Sequence, residues 1–367
     1  MKVYAIAGAR PNFMKIAPIY RASLKHSAVQ CQIIHTGQHY DHEMSQLFFD
    51  ELEIPAPTFN LEAGSGSHAV QTAKIMTAFE EVCLSSRPDL IIVVGDVNST
   101  LACSIVAKKL QIPVAHVEAG LRSFDLSMPE EINRMVTDAI SDYFFVTEES
   151  GAYNLLREGK DANRIHMVGH VMIDNLLYQI GKINGMNKKI FPLNSLKESA
   201  GKYLFMTLHR PSNVDDRQTF VNIAEAVNEL AQERTIFFPV HPRTRRKMEE
   251  FGIRMIERVH LLPPLGFRES LFFWKDAEAV FTDSGGLQEE TTALGIPCVT
   301  IRDNTERPIT VEVGTNVLAG TTKTAILGAY RESLAKCGSA KVPTLWDGKA
   351  SERIWSILLS NMTIENH

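Results

Sequence analysis

The 367-residue chain predicts an α/β protein built from two successive doubly wound parallel-sheet units. Short continuous apolar runs rich in β-branched residues alternate with amphipathic stretches, the pattern of parallel strands covered by helices on both faces. The series is interrupted once, over residues 181–203, by Gly185, Asn187, paired lysines and Pro192, and then resumes. The length also exceeds the roughly 100 to 200 residues that one ordinary domain holds.

Taken in order, strands are expected at residues 3–7, 32–35, 90–94, 114–117 and 143–146, with helices at 14–24, 69–84 and 100–110 between them. The second unit repeats the alternation, with strands at 203–207, 235–240, 259–262, 279–282 and 298–301 and helices at 217–232 and 287–293. Residues 351–360 are helical in pattern and can return to the first unit. The expected domains are therefore 1–170 with 351–367, and 171–350.

Hydrophobic residues at 44% and charged residues at 22% exclude a disordered or fibrous chain. A net charge of -5 offers no global field for nucleic acid or an anionic membrane, so an anionic ligand must meet locally placed cations. Cys31, Cys83, Cys103, Cys298 and Cys337 are odd in number and lack C-x-x-C spacing, which argues against a disulfide framework or a zinc knuckle. No signal-peptide pattern and no bilayer-spanning run are present, so the expected location is cytoplasmic.

Ligands of open parallel sheets bind beyond the carboxyl ends of the strands, so the polar residues after each apolar run come first. Gly8 to Lys15 ends the first strand and opens a helix at Pro11, a tight turn with two cations, Arg10 and Lys15. Pairing of Arg10 with a surface carboxylate is the alternative. The turn lacks the glycines of a P-loop or a G-x-G-x-x-G fingerprint, which disfavours a nicotinamide enzyme. Asp96, in Gly95-Asp96-Val97-Asn98-Ser99-Thr100, and Glu118, in His116-Val117-Glu118-Ala119-Gly120-Leu121-Arg122, both stand at strand ends, Asp96 with a plain helix cap as its alternative. Pro129-Glu130-Glu131-Ile132-Asn133-Arg134 reads as a helix start where Ser127 and Glu130 can form a capping box, and it brings Glu130 and Arg134 near the same edge.

In the second unit, Leu208-His209-Arg210-Pro211 and His241-Pro242-Arg243 each follow a strand. Two histidine-bearing turns suit a polar lining, and no third residue at metal-ligand spacing accompanies them, so no metal is expected. Thr282-Asp283-Ser284-Gly285-Gly286-Leu287-Gln288-Glu289-Glu290 ends a strand and starts a helix at once. Bare N–H groups and a positive helix end can there approach a diphosphate, with Glu290 one turn on for ribose hydroxyls. Arg302-Asp303-Asn304-Thr305-Glu306-Arg307-Pro308 adds cations, Arg307 among them.

In this order, and over nearly the full length, these motifs resemble the non-hydrolysing UDP-N-acetylglucosamine 2-epimerases. The resemblance implies a GT-B-like pair of Rossmann-like domains facing across a cleft, a UDP-N-acetylhexosamine as substrate, a homodimer and no cofactor. It implies that Arg10, Lys15, His209, Ser284, Gly286, Glu290 and Arg307 meet the nucleotide and diphosphate and that Gln38 and His39 lie near the sugar. Asp96, Glu118 and Glu130 match the essential carboxylates, with Arg134 and Arg210 nearby, and His209 matches a residue considered catalytic. Gly285 and His241 are counted with the substrate-binding residues from the loops that carry them. The reaction implied is elimination of UDP to a glycal and re-addition with a proton on the opposite face, the assignment of acid and base among the carboxylates being open. Asn12 stands where many members have Glu, and His209-Arg210-Pro211-Ser212-Asn213 replaces a His-Arg-Arg-Glu turn. Gly64-Ser65-Gly66-Ser67-His68 replaces a glutamine-containing loop near the regulatory second UDP-sugar site of bacterial members, so the resemblance does not carry activation by substrate to this chain. A GT-B glycosyltransferase, a hydrolysing 2-epimerase and a catalytically silent UDP-sugar sensor are the competing readings.

Overall fold

The structure, a computed structural model, describes residues 1–37 and 49–364, so the turn at Gln38 and His39 lies outside the described residues. The chain divides into two compact units, Met1–Leu177 with Thr344–His367, and Tyr178–Pro343. The division falls within the helix Val171–Gly185, which runs into the stretch where the periodicity breaks.

In the first unit the described strands are β1 (Lys2–Ala7), β2 (Gln30–His35), β3 (Phe59–Asn60), β4 (Leu90–Val94), β5 (Val114–Val117), β6 (Tyr143–Val146) and β7 (Ile165–Met167). They form a parallel sheet in the order β3-β2-β1-β4-β5-β6-β7. Every residue of β4 is buried, which is why Leu-Ile-Ile-Val-Val shows no alternation. Tyr4, Ile6, Ile91 and Val93 pack on Phe79 and Ile75 of the helix His68–Ser85 and on Cys103 and Val106 of the helix Asn98–Lys109.

The second unit holds β8 (Tyr203–Thr207), β9 (Thr235–Pro239), β10 (Val259–Leu262), β11 (Ala279–Thr282), β12 (Cys298–Thr300) and β13 (Asn316–Leu318), parallel in the order β10-β9-β8-β11-β12-β13. Both sheets therefore reverse strand order beside their first strand, between β1 and β4 and between β8 and β11. That reversal opens a crevice at the carboxyl edge of each sheet, the usual ligand position of doubly wound folds.

The short outer strands β3, β7 and β13, two or three residues each, were not expected from the sequence, because they carry no apolar run long enough to register. The helix Pro129–Ile140 starts from Met128, and Ser127 bonds instead to Asp125 (2.9 Å through its N–H, 2.6 Å through its hydroxyl), so the expected Ser127–Glu130 capping box does not form. This helix is inverted: Glu131, Asn133, Thr137 and Asp138 are buried while Ile132, Met135 and Val136 are exposed. It covers the polar carboxyl ends of β4 and β5 rather than an apolar face, and its polar side takes up their hydrogen bonds.

The closing helix Ala350–Ile364 packs on the helix Arg10–Ser23, with Trp355 buried and its Nε1 donating to the carbonyl of Ile19 at 2.8 Å. Its start is held by Asp174, which accepts from the N–H groups of Ala350 (3.0 Å) and Ser351 (2.7 Å). Among the described residues no helix is long and apolar enough to cross a membrane.

Candidate active site

In the first unit the site grows from the exits of β1, β4 and β5. The helix Arg10–Ser23 starts directly after β1, with Pro11 in its first turn and Arg10 exposed at its tip. Asn12 is buried there; its Oδ1 accepts from the N–H of Ala9 at 2.9 Å and its Nδ2 donates to the carbonyl of Val94 at 3.0 Å, tying the exits of β1 and β4 together. One turn on, Lys15 forms an ion pair and hydrogen bond with Glu118, which is almost wholly buried. Nδ1 of the buried His170 lies 4.0 Å from the other Glu118 oxygen. Glu118 adopts φ +67°, a left-handed conformation in a non-glycine residue, so its carboxylate is aimed by a backbone that must be held in place.

Asp96 follows β4 and pairs with Arg134, a contact that reaches across from the helix Pro129–Ile140. Arg134 also binds Glu131, at 2.9 Å through Nε. Burial pushes Glu131 up, yet the N–H groups of Ser123 and Phe124 and the Arg134 guanidinium hold it below the usual carboxylate range. Glu130, its neighbour, is half-buried at the helix start. The first sheet edge thus brings together Lys15 with Glu118 and Asp96 with Arg134.

In the second unit the organising residue is Asp283, which sequence reasoning passed over. It is fully buried after β11 and accepts from the N–H groups of His209 (3.0 Å) and Arg210 (2.8 Å), while Nδ1 of His209 lies 2.7 Å away. Burial raises this carboxyl, but His209 and the two amides hold it below its ordinary value. The ring of His209 is 53% exposed, so it can still meet a ligand. Arg210 donates to the carbonyl of Asp283 (3.0 Å) and to Glu306 (3.0 Å). Glu306 is brought down to about 2, burial being outweighed by Arg302 and Arg210.

Ser284 caps the helix Gly285–Leu294 without spending its hydroxyl on a cap hydrogen bond. A Cβ at Gly286 would meet nothing within 4 Å, so the helix start is open there, whereas one at Gly285 would lie 3.0 Å from Glu306. Glu289 pairs with Nε of Arg307 at 2.7 Å, and the buried Glu290 is pushed up to about 8 by burial and by Glu289. Thr305 donates to Gln288 at 2.6 Å, anchoring the Arg307 loop on this helix. His241 follows β9, on the far side of β8 from Ser284, and its Nδ1 accepts from the N–H of Arg243 at 3.3 Å as a helix cap. Among the described residues no group of three or more His, Cys, Asp or Glu side chains is placed to hold a metal ion.

Residues 21–359 match the family model described as UDP-N-acetylglucosamine 2-epimerase. The UDP-N-acetylglucosamine 2-epimerase of Methanocaldococcus jannaschii is 44% identical over 98% of this chain and 99% of its own. The UDP-2,3-diacetamido-2,3-dideoxy-D-glucuronate 2-epimerase of Pseudomonas aeruginosa is 38% identical over 96% of this chain and 98% of its own. Among solved structures, the M. jannaschii enzyme in complex with UDP-GlcNAc and UDP aligns with a TM-score of 0.84 at 43% identity, over 98% of this chain and 100% of that one. The Neisseria meningitidis UDP-GlcNAc 2-epimerase bound to UDP-GlcNAc aligns at 0.86 and 29% identity, with the same coverage.

Proposed function

We propose a function from one premise: this chain belongs to the UDP-N-acetylglucosamine 2-epimerase family, whose named relatives are isomerases of UDP-sugars. The proposal is that it interconverts UDP-N-acetylglucosamine and UDP-N-acetylmannosamine without hydrolysis. The observation that carries it is the pair of carboxylates at adjacent strand exits, Asp96 and Glu118, each held by its own cation, Arg134 and Lys15.

The hydrogen on carbon 2 of an N-acetylhexosamine is not acidified by a carbonyl. Breaking the bond from carbon 1 to UDP moves its electron pair onto the diphosphate oxygen and leaves oxocarbenium character that acidifies that hydrogen. A carboxylate removes the proton, giving 2-acetamidoglucal and UDP. Re-addition of UDP at carbon 1, with a proton delivered to the other face of carbon 2, yields the epimer, so atoms and charge balance without an added reagent. Asp96, Glu118 and Glu130 are the proposed proton carriers, each type of group contributing about 100 to 10,000-fold. The departing charge is assigned to Arg10, His209, Arg210, Arg307 and the Ser284-Gly285-Gly286 helix start, with Glu290 toward the ribose. Lys15 serves Glu118 before it serves a phosphate. Homodimerisation and a cytoplasmic location belong to the same proposal.

The test is incubation with UDP-N-acetylglucosamine alone in deuterated water, followed by NMR. Deuterium at carbon 2 of both epimers is expected. Free N-acetylmannosamine would mark a hydrolysing enzyme, and a requirement for an acceptor would mark a glycosyltransferase. Running the diacetamido-glucuronate substrate of the P. aeruginosa relative alongside decides the sugar.

A further inference from the structure

We infer that the buried pair His116–Asp138 is a positioning device that sets the spacing of the three proposed proton-carrying carboxylates. The inference rests on the functional reading above. Both side chains are fully buried, so neither meets a substrate. The ring of His116, within β5, bridges two elements: Nδ1 lies 2.7 Å from Asp138 Oδ1 and Nε2 lies 2.9 Å from the carbonyl oxygen of Gly95. A carbonyl oxygen only accepts, so Nε2 carries a proton and donates it. The second Asp138 oxygen accepts from the N–H of Gly120 at 3.0 Å and lies 2.7 Å from Arg122, itself paired with Glu158 at 2.7 Å.

These bonds end at three backbone points. Gly95 immediately precedes Asp96; Gly120 follows Glu118 by two residues; and Asp138 lies on the helix Pro129–Ile140, whose first turn carries Glu130. A buried ion pair costs desolvation that its attraction only partly returns, so stability by itself is a weak reason for its presence. What apolar groups cannot do is fix the exits of β4 and β5 and this helix to one another through directional bonds. Burial pushes the Asp138 carboxyl up, but His116 and Arg122 hold it below its ordinary range, so it accepts these bonds in its ionised form. A displacement of about 1 Å in a reacting group can cost roughly 100-fold in rate, so a slack dyad should show in turnover before binding.

The experiment uses the full-length protein and three variants. Asp138→Ala removes the acceptor that Gly120, Arg122 and His116 share. His116→Gln keeps a donor for Gly95 and gives up Asp138; His116→Asn does the reverse. Each is expected to lower the turnover of carbon-2 deuterium exchange by tenfold or more while KM and the calorimetric affinity for UDP stay within about twofold. Amide exchange in peptides covering β4 and β5 should be locally faster, and the melting temperature should fall by several degrees, because each variant leaves a buried polar group without a partner. Full exchange rates in the His116 variants would overturn the inference, as would a loss of UDP affinity in parallel with the loss of turnover. If Asp138→Ala does not fold, the two His116 variants decide. Absence of exchange in the unaltered protein would sink the functional reading and this inference with it, whereas normal exchange there with unaffected variants would sink the inference alone.

Discussion

At the end of β4, Gly95 has two separate reasons to be glycine. Its φ is +66°, and a Cβ there would lie 2.9 Å from Nζ of Lys15 and 3.7 Å from Glu118. Gly95→Ala should therefore cost about 1 to 2 kcal/mol in left-handed backbone strain and push Lys15 off Glu118. Exchange at carbon 2 is expected to fall at least tenfold, and an alanine variant with full exchange and unchanged melting temperature would show that the Lys15–Glu118 contact is dispensable. Glu290 yields a pH prediction. It titrates near 4.5 in the unfolded chain and near 8 in the native one, so the folded state holds its proton more tightly. Its contribution to stability is complete below about pH 4.5 and is withdrawn as pH rises through about 8. Urea titrations from pH 5 to 9 should show stability of the ligand-free protein falling over this range, with a visibly shallower fall in Glu290→Gln. Strand-end position marked Asp96 and Glu118 in the sequence. For the helix-borne pairs, Glu130 and Glu290 were singled out in the sequence, whereas helical phase buries Glu131 and leaves Glu130 half-buried, and both Glu289 and Glu290 are buried.

Among the elements, the turn after β8 depends on a residue 74 positions later. Asp283 receives two backbone N–H groups and the ring of His209, so the His209-Arg210 turn has its shape only while that carboxylate is present. Asp283→Ala leaves both N–H groups and the ring of His209 without their acceptor, which should cost about 1 to 3 kcal/mol and weaken UDP binding about tenfold. Calorimetry and thermal melting check the two parts, and unchanged UDP affinity would remove the turn from the nucleotide site. The inverted helix Pro129–Ile140 shows why such features escape a sequence. Its periodicity is plain, but which face turns inward depends on what it covers, and here it covers the polar ends of β4 and β5. The helix Val171–Gly185 likewise continues through Gly181 because Ile173, Leu176 and Ile183 are buried, tertiary contact outweighing a weak local propensity.

For the molecule as a whole, the first unit is closed by the far end of the chain. Trp355 is fully buried, and its indole bonds to the carbonyl of Ile19, 336 residues away in sequence. Trp355→Ala should cost the first unit about 3 to 5 kcal/mol. Hydrogen exchange should then show lost protection in peptides of Met1–Leu177 and not in those of Tyr178–Pro343; uniform loss across both would mean that the two unfold as one. The number of units, the parallel character of both sheets, most strand positions and the placement of candidate carboxylates and cations at strand ends were all determined by the sequence. They follow from periodicity and turn chemistry acting over a few residues. Only the tertiary structure decided the partners: Lys15 with Glu118, Arg134 with Asp96, His116 with Asp138, His209 with Asp283 and Asp174 with Ser351. Most of these pairs are separated by tens of residues or more, so which charges meet is set by the order of strands in a sheet, and that order arises only when the whole apolar core is buried at once.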